Sequence, residues 1–289
     1  MSTTLRLIYP QWQGGVISPL VPELTPADAN LGYVLGSQLL DFLAPKNAEH
    51  KTAVVPVSTA NPEDRHPTGG ISNWPEIKAQ TLAAFEILNR ENPDRIITLG
   101  GECSVSVAPF TWLAQKYGPK TAMIWIDAHC DINLPSDPYT GYHAMALAAC
   151  LGKCGDEVTS LFPATFDISN IMAVDIREWD VGIKERQQEF GLKHVTAQEL
   201  HQNSEVISEW LKKIEAEKVV IHFDMDALDP QELFTAVGKV PDGIKVADAV
   251  QLINKLDAEF DVVGLTIAEP MPRTAIKLKN MLSALHPLQ

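Results

Sequence analysis

Positive charge is scarce in this chain. Against 37 Asp and Glu stand 23 Lys and Arg, a net charge of -14, and the pI is about 4.9. So acidic a surface disfavours nucleic acid and anionic membrane as partners, and it is compatible with a cationic substrate. Cysteine is scarce too: the four residues are Cys103, Cys130, Cys150 and Cys154. Four cysteines in 289 residues argue against a disulfide framework. Cys150 and Cys154 sit in an Ala-rich helical stretch with no two further ligands nearby for a zinc knuckle, and are read as buried small residues. No apolar run is long enough to span a bilayer, and no charged-then-apolar leader opens the chain, so a cytoplasmic location is expected. Internal repeats, low-complexity tracts and Ser/Gly linkers are also missing, which leaves one domain over 1–289 as the expectation.

What remains is ordinary globular material, 45% hydrophobic and 21% charged, enough for a sizeable core. Short apolar runs predict strands over 5–9, 53–57, 95–99, 122–127, 171–174, 193–195, 219–224 and 262–267. Amphipathic stretches predict helices over 27–42, 74–90, 105–117, 144–151, 184–190, 205–217, 246–256 and 275–285. Continuous apolar strands alternating with helices indicate an α/β fold: three αβα layers around a largely parallel eight-stranded sheet. Ligands bind at the C-terminal ends of such strands. The polar loop 58–73 borders that end on composition alone.

Two acidic motifs fall at strand ends. Asp127-Ala128-His129-Cys130-Asp131 closes the run 122–126, with potential metal ligands at i, i+2 and i+4. Extended chain puts alternate side chains on one face, so Asp127, His129 and Asp131 can converge. The second motif, Asp224-Met225-Asp226-Ala227-Leu228-Asp229-Pro230, follows the run 219–223 and offers Asp224 and Asp226 on one face. These carboxylates would repel one another unless a cation held them. Oxygen donors with one imidazole suit a hard or borderline divalent metal, and their number suggests two ions. A third segment, Gly100-Gly101-Glu102-Cys103-Ser104, lies between a strand and a helix. Alone it reads as a turn with Ser104 as cap and Cys103 packed inside.

Together and in this order, the three segments resemble the arginase/agmatinase (ureohydrolase) family, from about Arg95 to Pro272. The resemblance implies an arginase-like fold, two Mn2+ ions and a small guanidino substrate. It implies Asp127 and Asp224 as bridging ligands, His129 and Asp226 at one ion, and Asp131 at the other. The family's Gly-Gly-Asp-His-Ser histidine is Cys103 here, and the preceding acid is Glu102. A thiolate is softer and adds negative charge. It can weaken manganese, favour another divalent metal, retune the bridging hydroxide, or leave the position partly occupied or inactive. Cys103-Ser104-Val105-Ser106, Thr140-Gly141-Tyr142 and His222 are similar to the hydroxyarginine-hydrolysing branch of the family, in cycloserine biosynthesis.

The resemblance extends to further residues. His143 matches a proton-shuttling histidine, with a polar helix start as the plain alternative. Glu269, in Glu269-Pro270-Met271-Pro272, matches the acid that pairs with the guanidinium. Asn133, Thr140 and Asp180 match contacts to an amino-acid head, each equally readable as loop polarity, while Tyr142 and Ile183 depart from the usual Asn and acid. His222 reads as a group beneath the metals, or as a satisfied core histidine. The implied reaction is hydrolysis of L-arginine or Nω-hydroxy-L-arginine to urea or hydroxyurea plus ornithine, with Asp131, His143 and Glu269 catalytic. Agmatinase or formimino hydrolase activity stays open, as does a catalytically weak metal-binding scaffold. The absence of an adjacent His pair argues against a single-zinc deacetylase. Family members often form trimers or hexamers, so a homo-oligomer stays open.

Overall fold

The computed structural model describes residues 2–288. Its strands are β1 (Thr4–Tyr9), β2 (Lys51–Val54), β3 (Pro67–Thr68), β4 (Ile71–Ser72), β5 (Arg95–Gly100), β6 (Thr121–Ile126), β7 (Ile171–Val174), β8 (Lys193–Val195), β9 (Lys218–Asp224) and β10 (Val262–Ala268). The helices are α1 (Pro26–Leu43), α2 (Trp74–Glu91), α3 (Val107–Tyr117), α4 (Ala146–Cys150), α5 (Asp156–Thr159), α6 (Ile183–Phe190), α7 (Ala197–Gln202), α8 (Val206–Lys213), α9 (Val246–Glu259) and α10 (Arg273–Ser283). Eight strands form one sheet in the order β2-β1-β5-β10-β9-β6-β7-β8, and every pairing in it is parallel. The β3–β4 pair is a separate antiparallel hairpin.

Helices cover both faces, which is why the central strands read as unbroken apolar runs. In β6, Met123 and Trp125 join one buried cluster, and Ala122, Ile124 and Ile126 join the other. Each large apolar side chain buried this way contributes roughly 1.5–3 kcal/mol, and all six β6 residues are buried. Parallel pairing then levels the strand ends. Trp125 is opposite His222, Ile126 opposite Phe223, and Asp224 opposite Ala268. Leu99 is opposite Ile267. The residues that follow β5, β6, β9 and β10 therefore emerge side by side at one edge of the sheet.

Several expected boundaries move. The expected strand 53–57 is Lys51–Val54, a mostly exposed edge strand; buried Val55 follows it. The expected helix 105–117 begins as a 3-10 turn, Cys103–Ser106, before α3. The expected helix 144–151 shortens to Ala146–Cys150, after a 3-10 turn His143–Met145.

Candidate active site

The bends after these strands are held by backbone geometry. Gly101 must be glycine, because a Cβ there would sit 1.8 Å from the Gln11 carbonyl oxygen. The chain passes that point into the Cys103 turn, where the Glu102 carboxylate accepts from the Ser104 N–H at 2.8 Å and from Gln11 Nε2 at 2.8 Å. Burial raises the Glu102 pKa. After β6 the Asp127–Asp131 segment is a turn and not extended chain, so its side chains do not converge by strand alternation. Asp127 Oδ1 accepts the His129 N–H at 2.7 Å. Asp131 has φ of 49°, and its carbonyl accepts from Leu147 and Ala148 at 3.0 and 3.1 Å. Glu269 likewise has φ of 61°. Left-handed backbone at non-glycine residues costs on the order of 1–3 kcal/mol and gathers at functional sites.

Asp127, Asp131, Asp224 and Asp226 are all buried. Among the described residues, no lysine or arginine pairs with these four side chains. Asp226 pairs with His129, Nδ1 to Oδ2 at 3.0 Å, and His129 Nε2 reaches Glu178 at 3.3 Å. Arg177 holds the Asp226 backbone carbonyl instead, at 2.8 Å. Burial, then repulsion from Asp226, pushes the Asp127 carboxyl up to about 7. Burial and neighbouring carboxylates hold Asp131 and Asp224 well above the ordinary carboxylate range. Burial also works against ionisation of Asp226, but His129 overcomes it and depresses that pKa. For His129, burial opposes the charge, and Asp226, Asp127 and Glu178 outweigh it to raise the pKa.

Cys103 is buried, with Sγ 3.0 Å from Asp224 Oδ2 and 3.5 Å from Glu269 Oε1. Burial and four surrounding carboxylates push its thiol well up. Glu269 accepts the Cys103 N–H at 3.2 Å and the Tyr33 hydroxyl, and lies 3.3 Å from His143 Nδ1. His143 Nε2 meets the Tyr139 hydroxyl at 2.6 Å. Burial opposes the His143 charge; Tyr139, Glu269 and Asp131 raise its pKa. His222 is fully buried, stacked on Trp125 at 3.6 Å, with Nδ1 2.7 Å from Ser106 Oγ. Burial drives its pKa down to about 3, so the ring is neutral.

A cavity of about 690 Å³ opens above this floor, and Cys103, His129, Asp131, His143, Asp224, Asp226 and Glu269 all line it. Asn133 and Asp180 are on its wall, together with Glu178 and Trp179. Thr140 is elsewhere: its hydroxyl bonds Ser72 of the β3–β4 hairpin at 2.8 Å. Sequence reasoning missed Glu178, Tyr33 and Tyr139. Tyr33 carries no local signal, since α1 brings it from far along the chain. Glu178 stands in Arg177-Glu178-Trp179-Asp180, where Asp180 drew the attention.

Two divalent cations fit this donor set. One donor atom each from Cys103, Asp127, His222 and Asp224 lie within 4.8 Å of one another, and so do donors from Asp127, His129 and Asp226. Asp131 Oδ2 is buried without a hydrogen-bond partner, a costly state for a polar atom.

The model of the arginase family matches residues 51–285. The arginase of Entamoeba histolytica is 28% identical over 228 residues, spanning 73% of this chain and 77% of that protein. A solved structure of Entamoeba histolytica arginase in complex with L-ornithine superposes with a TM-score of 0.75 at 22% identity, covering 100% of this chain and 98% of that one. The formimidoylglutamase of Bacillus subtilis shares the fold with a TM-score of 0.68 at 15% identity, covering 94% and 80%.

Proposed function

The chain belongs to the arginase family of metal-dependent guanidino hydrolases, and from that premise we propose that it cleaves L-arginine or Nω-hydroxy-L-arginine to ornithine plus urea or hydroxyurea. The 289 residues act as one catalytic domain. The observation that carries this reading is the pairing of Glu269 with His143 at 3.3 Å, in the lining of a carboxylate-floored cavity. A cation is drawn to such a floor, and a planar guanidinium suits a carboxylate's bidentate geometry.

Cys103, Asp127, Asp131 and Asp224 would hold one divalent cation, and His129 and Asp226 the other, with Asp127 and Asp224 shared; two Mn2+ are the expected pair. Bound there, such ions lower the pKa of a water and make a nucleophile available near neutral pH. The chain's own residues do the rest. Glu269, aimed by the Tyr33 hydroxyl and the Cys103 N–H, accepts the guanidinium N–H groups and orients the central carbon over the floor. Water oxygen bonds to that carbon, and the bond from it to the side-chain nitrogen breaks. His143 delivers the proton that the leaving amine takes up, and Tyr139 holds its other nitrogen. Asn133 and Asp180 face the amino-acid head, and a substrate with an α-carboxylate and α-amino group is read from them. The relative crystallised with L-ornithine supports the same class.

The test is kcat/KM on one manganese-reconstituted preparation of known metal content. L-arginine, Nω-hydroxy-L-arginine, agmatine and formiminoglutamate are compared. The expected result is at least a tenfold advantage for the two arginine substrates, with ~1.4 kcal/mol per factor of ten. A marked preference for the hydroxylated one ties Cys103 to a specialised biosynthetic hydrolase. Preference for agmatine or formiminoglutamate, or turnover of none, overturns the reading.

A further inference from the structure

His222 is a fully buried imidazole with one satisfied nitrogen and one orphan. Nδ1 is bonded to Ser106 Oγ at 2.7 Å, while Nε2 has no hydrogen-bond partner. The nearest carboxylate oxygen to which it is matched, Asp127 Oδ2, is 3.8 Å away, beyond hydrogen-bond reach. The ring cannot turn to find another partner. It is stacked on Trp125 with planes 9° apart, and Trp125 is itself tied to Asp127 Oδ2 at 3.0 Å. Nε2 is thus aimed and locked at a point where it has nothing to bond.

That point is shared. Donor atoms of Cys103, Asp127, His222 and Asp224 all lie within 4.8 Å of one another, the spread of donors that each contact one ion at about 2.0–2.4 Å. An imidazole ligand whose other nitrogen is held by a hydrogen bond is the usual arrangement at metal sites, since that bond fixes tautomer and ring direction. We propose that His222 Nε2 is a direct ligand of the divalent cation assigned above to Cys103, Asp127, Asp131 and Asp224, and not a supporting group beneath it. Binding replaces the thiol proton now lying between Cys103 and Asp224, which leaves as a proton to solvent. The resulting set of one sulfur, one nitrogen and carboxylate oxygens is softer than the oxygen-rich set around the second ion. It favours a borderline metal over a hard one. This inference rests on the dinuclear reading of the site, but not on which substrate is cleaved.

Loss of affinity alone does not decide the matter, because removing a supporting partner also weakens metal binding, by about 10–100-fold. The distance decides. Crystals of the wild-type full chain grown with MnCl2 would be measured at the manganese edge. The expected result is two anomalous peaks, one of them about 2.0–2.4 Å from His222 Nε2. Two peaks with neither within 3 Å of Nε2 overturn this inference and leave the metal centre standing. No bound manganese overturns the metal centre as well. In solution, pulsed EPR of the Mn2+ protein counts imidazole nitrogens. His222→Phe, which keeps a ring against Trp125, is expected to remove one coupling, and Ser106→Ala to retain it. An unchanged count in a folded His222→Phe protein overturns the proposal.

Discussion

At the scale of single residues the site is a store of unfavourable terms. Asp131 and Glu269 take left-handed backbone, Asp131 Oδ2 and His222 Nε2 are buried without partners, and Cys103 is a thiol among four carboxylates. The unpartnered atoms and the crowded thiol are costly without a cation and reasonable with one, and the strained backbone holds them in place. On the proposed reading Asp127 and Asp224 are shared by both cations, so removing either should remove the centre. Asp127→Ala or Asp224→Ala is expected to bind less than one equivalent of manganese and to lose on the order of a thousandfold or more in kcat/KM, beyond the 10–100-fold typical of supporting groups. Metal analysis alongside kinetics checks it, and full activity in either variant would sink the assignment. His143 should behave differently. His143→Asn is expected to keep its metal while kcat falls by about 10²–10⁴, the range for a lost proton-transfer group. Donors of Cys103, His143 and Glu269 also lie within 4.8 Å of one another, so loss of metal in that variant would instead make His143 a ligand.

At the scale of elements, strand ends set the site and one helix seats it. Glu269 follows β10, and α1 packs on the loop beyond it. A Cβ at Gly36 would approach the Pro270 carbonyl oxygen to 2.2 Å, and one at Gly32 would meet Met271 Sδ at 2.6 Å. The same helix supplies the Tyr33 hydroxyl to Glu269. Gly36→Ala should push α1 off this loop, costing about 1–3 kcal/mol by overpacking, and should raise KM by misplacing Glu269. Denaturant melts and steady-state kinetics read both; wild-type values for both would mean that α1 does not position the acid. The central strands were legible because a sheet covered on both faces demands unbroken apolar runs. Runs 171–174 and 193–195 coincide with β7 and β8. Edge strand β2 was not, because its pattern is largely exposed and the apolar residues beyond it belong to a loop. The β3–β4 hairpin, two residues a side, is too short to leave a period. Short α7 was not expected, although the Thr196–Glu199 capping box is a local signal for it. The donor types in the acidic motifs could be read from spacing, but their convergence could not, since a bend with Asp131 at positive φ replaces strand alternation. Tyr33 reaches the site only through tertiary packing, which no local pattern encodes, whereas Tyr139 lies four residues before His143 and meets it locally.

At the scale of the whole molecule, the buried carboxylates couple stability to pH, and the sign follows from their shifts. The folded Asp127 carboxyl titrates at about 7, and Asp131 and Asp224 are also raised. An unfolded chain releases these protons near pH 4. Between pH 4 and 7 the metal-free folded state thus retains protons that the unfolded state has lost. Stability present below pH 4 is lost as pH rises through the folded values, by about 1.4 kcal/mol per pH unit for each proton retained. His129 acts in the same direction: its pKa is raised, so its contribution is present below about 6.5 and lost as pH climbs through the folded value. The depressed carboxylates, which act the other way, have finished by then, whereas His222, lowered to about 3 by burial, opposes the loss between pH 5 and about 6.5 by about 1.4 kcal/mol per pH unit and is outnumbered by the three raised carboxylates. Asp94, lowered to about 2 by the Thr3 backbone and Lys116, is ionised in both states at pH 5, and depressed Asp226 loses its contribution only in stronger acid. Protein stripped with EDTA should therefore melt at a lower temperature at pH 7.5 than at pH 5, a drop on the order of a few kcal/mol in unfolding free energy. Added Mn2+ should reverse the order, because a cation that binds only the folded state and only ionised carboxylates stabilises most where they are ionised. Calorimetry of the two forms at both pH values makes the comparison. A metal-free protein no less stable at pH 7.5 would mean that Asp127, Asp131 and Asp224 tolerate ionisation unaided, and the physical case for a cation between them would fail.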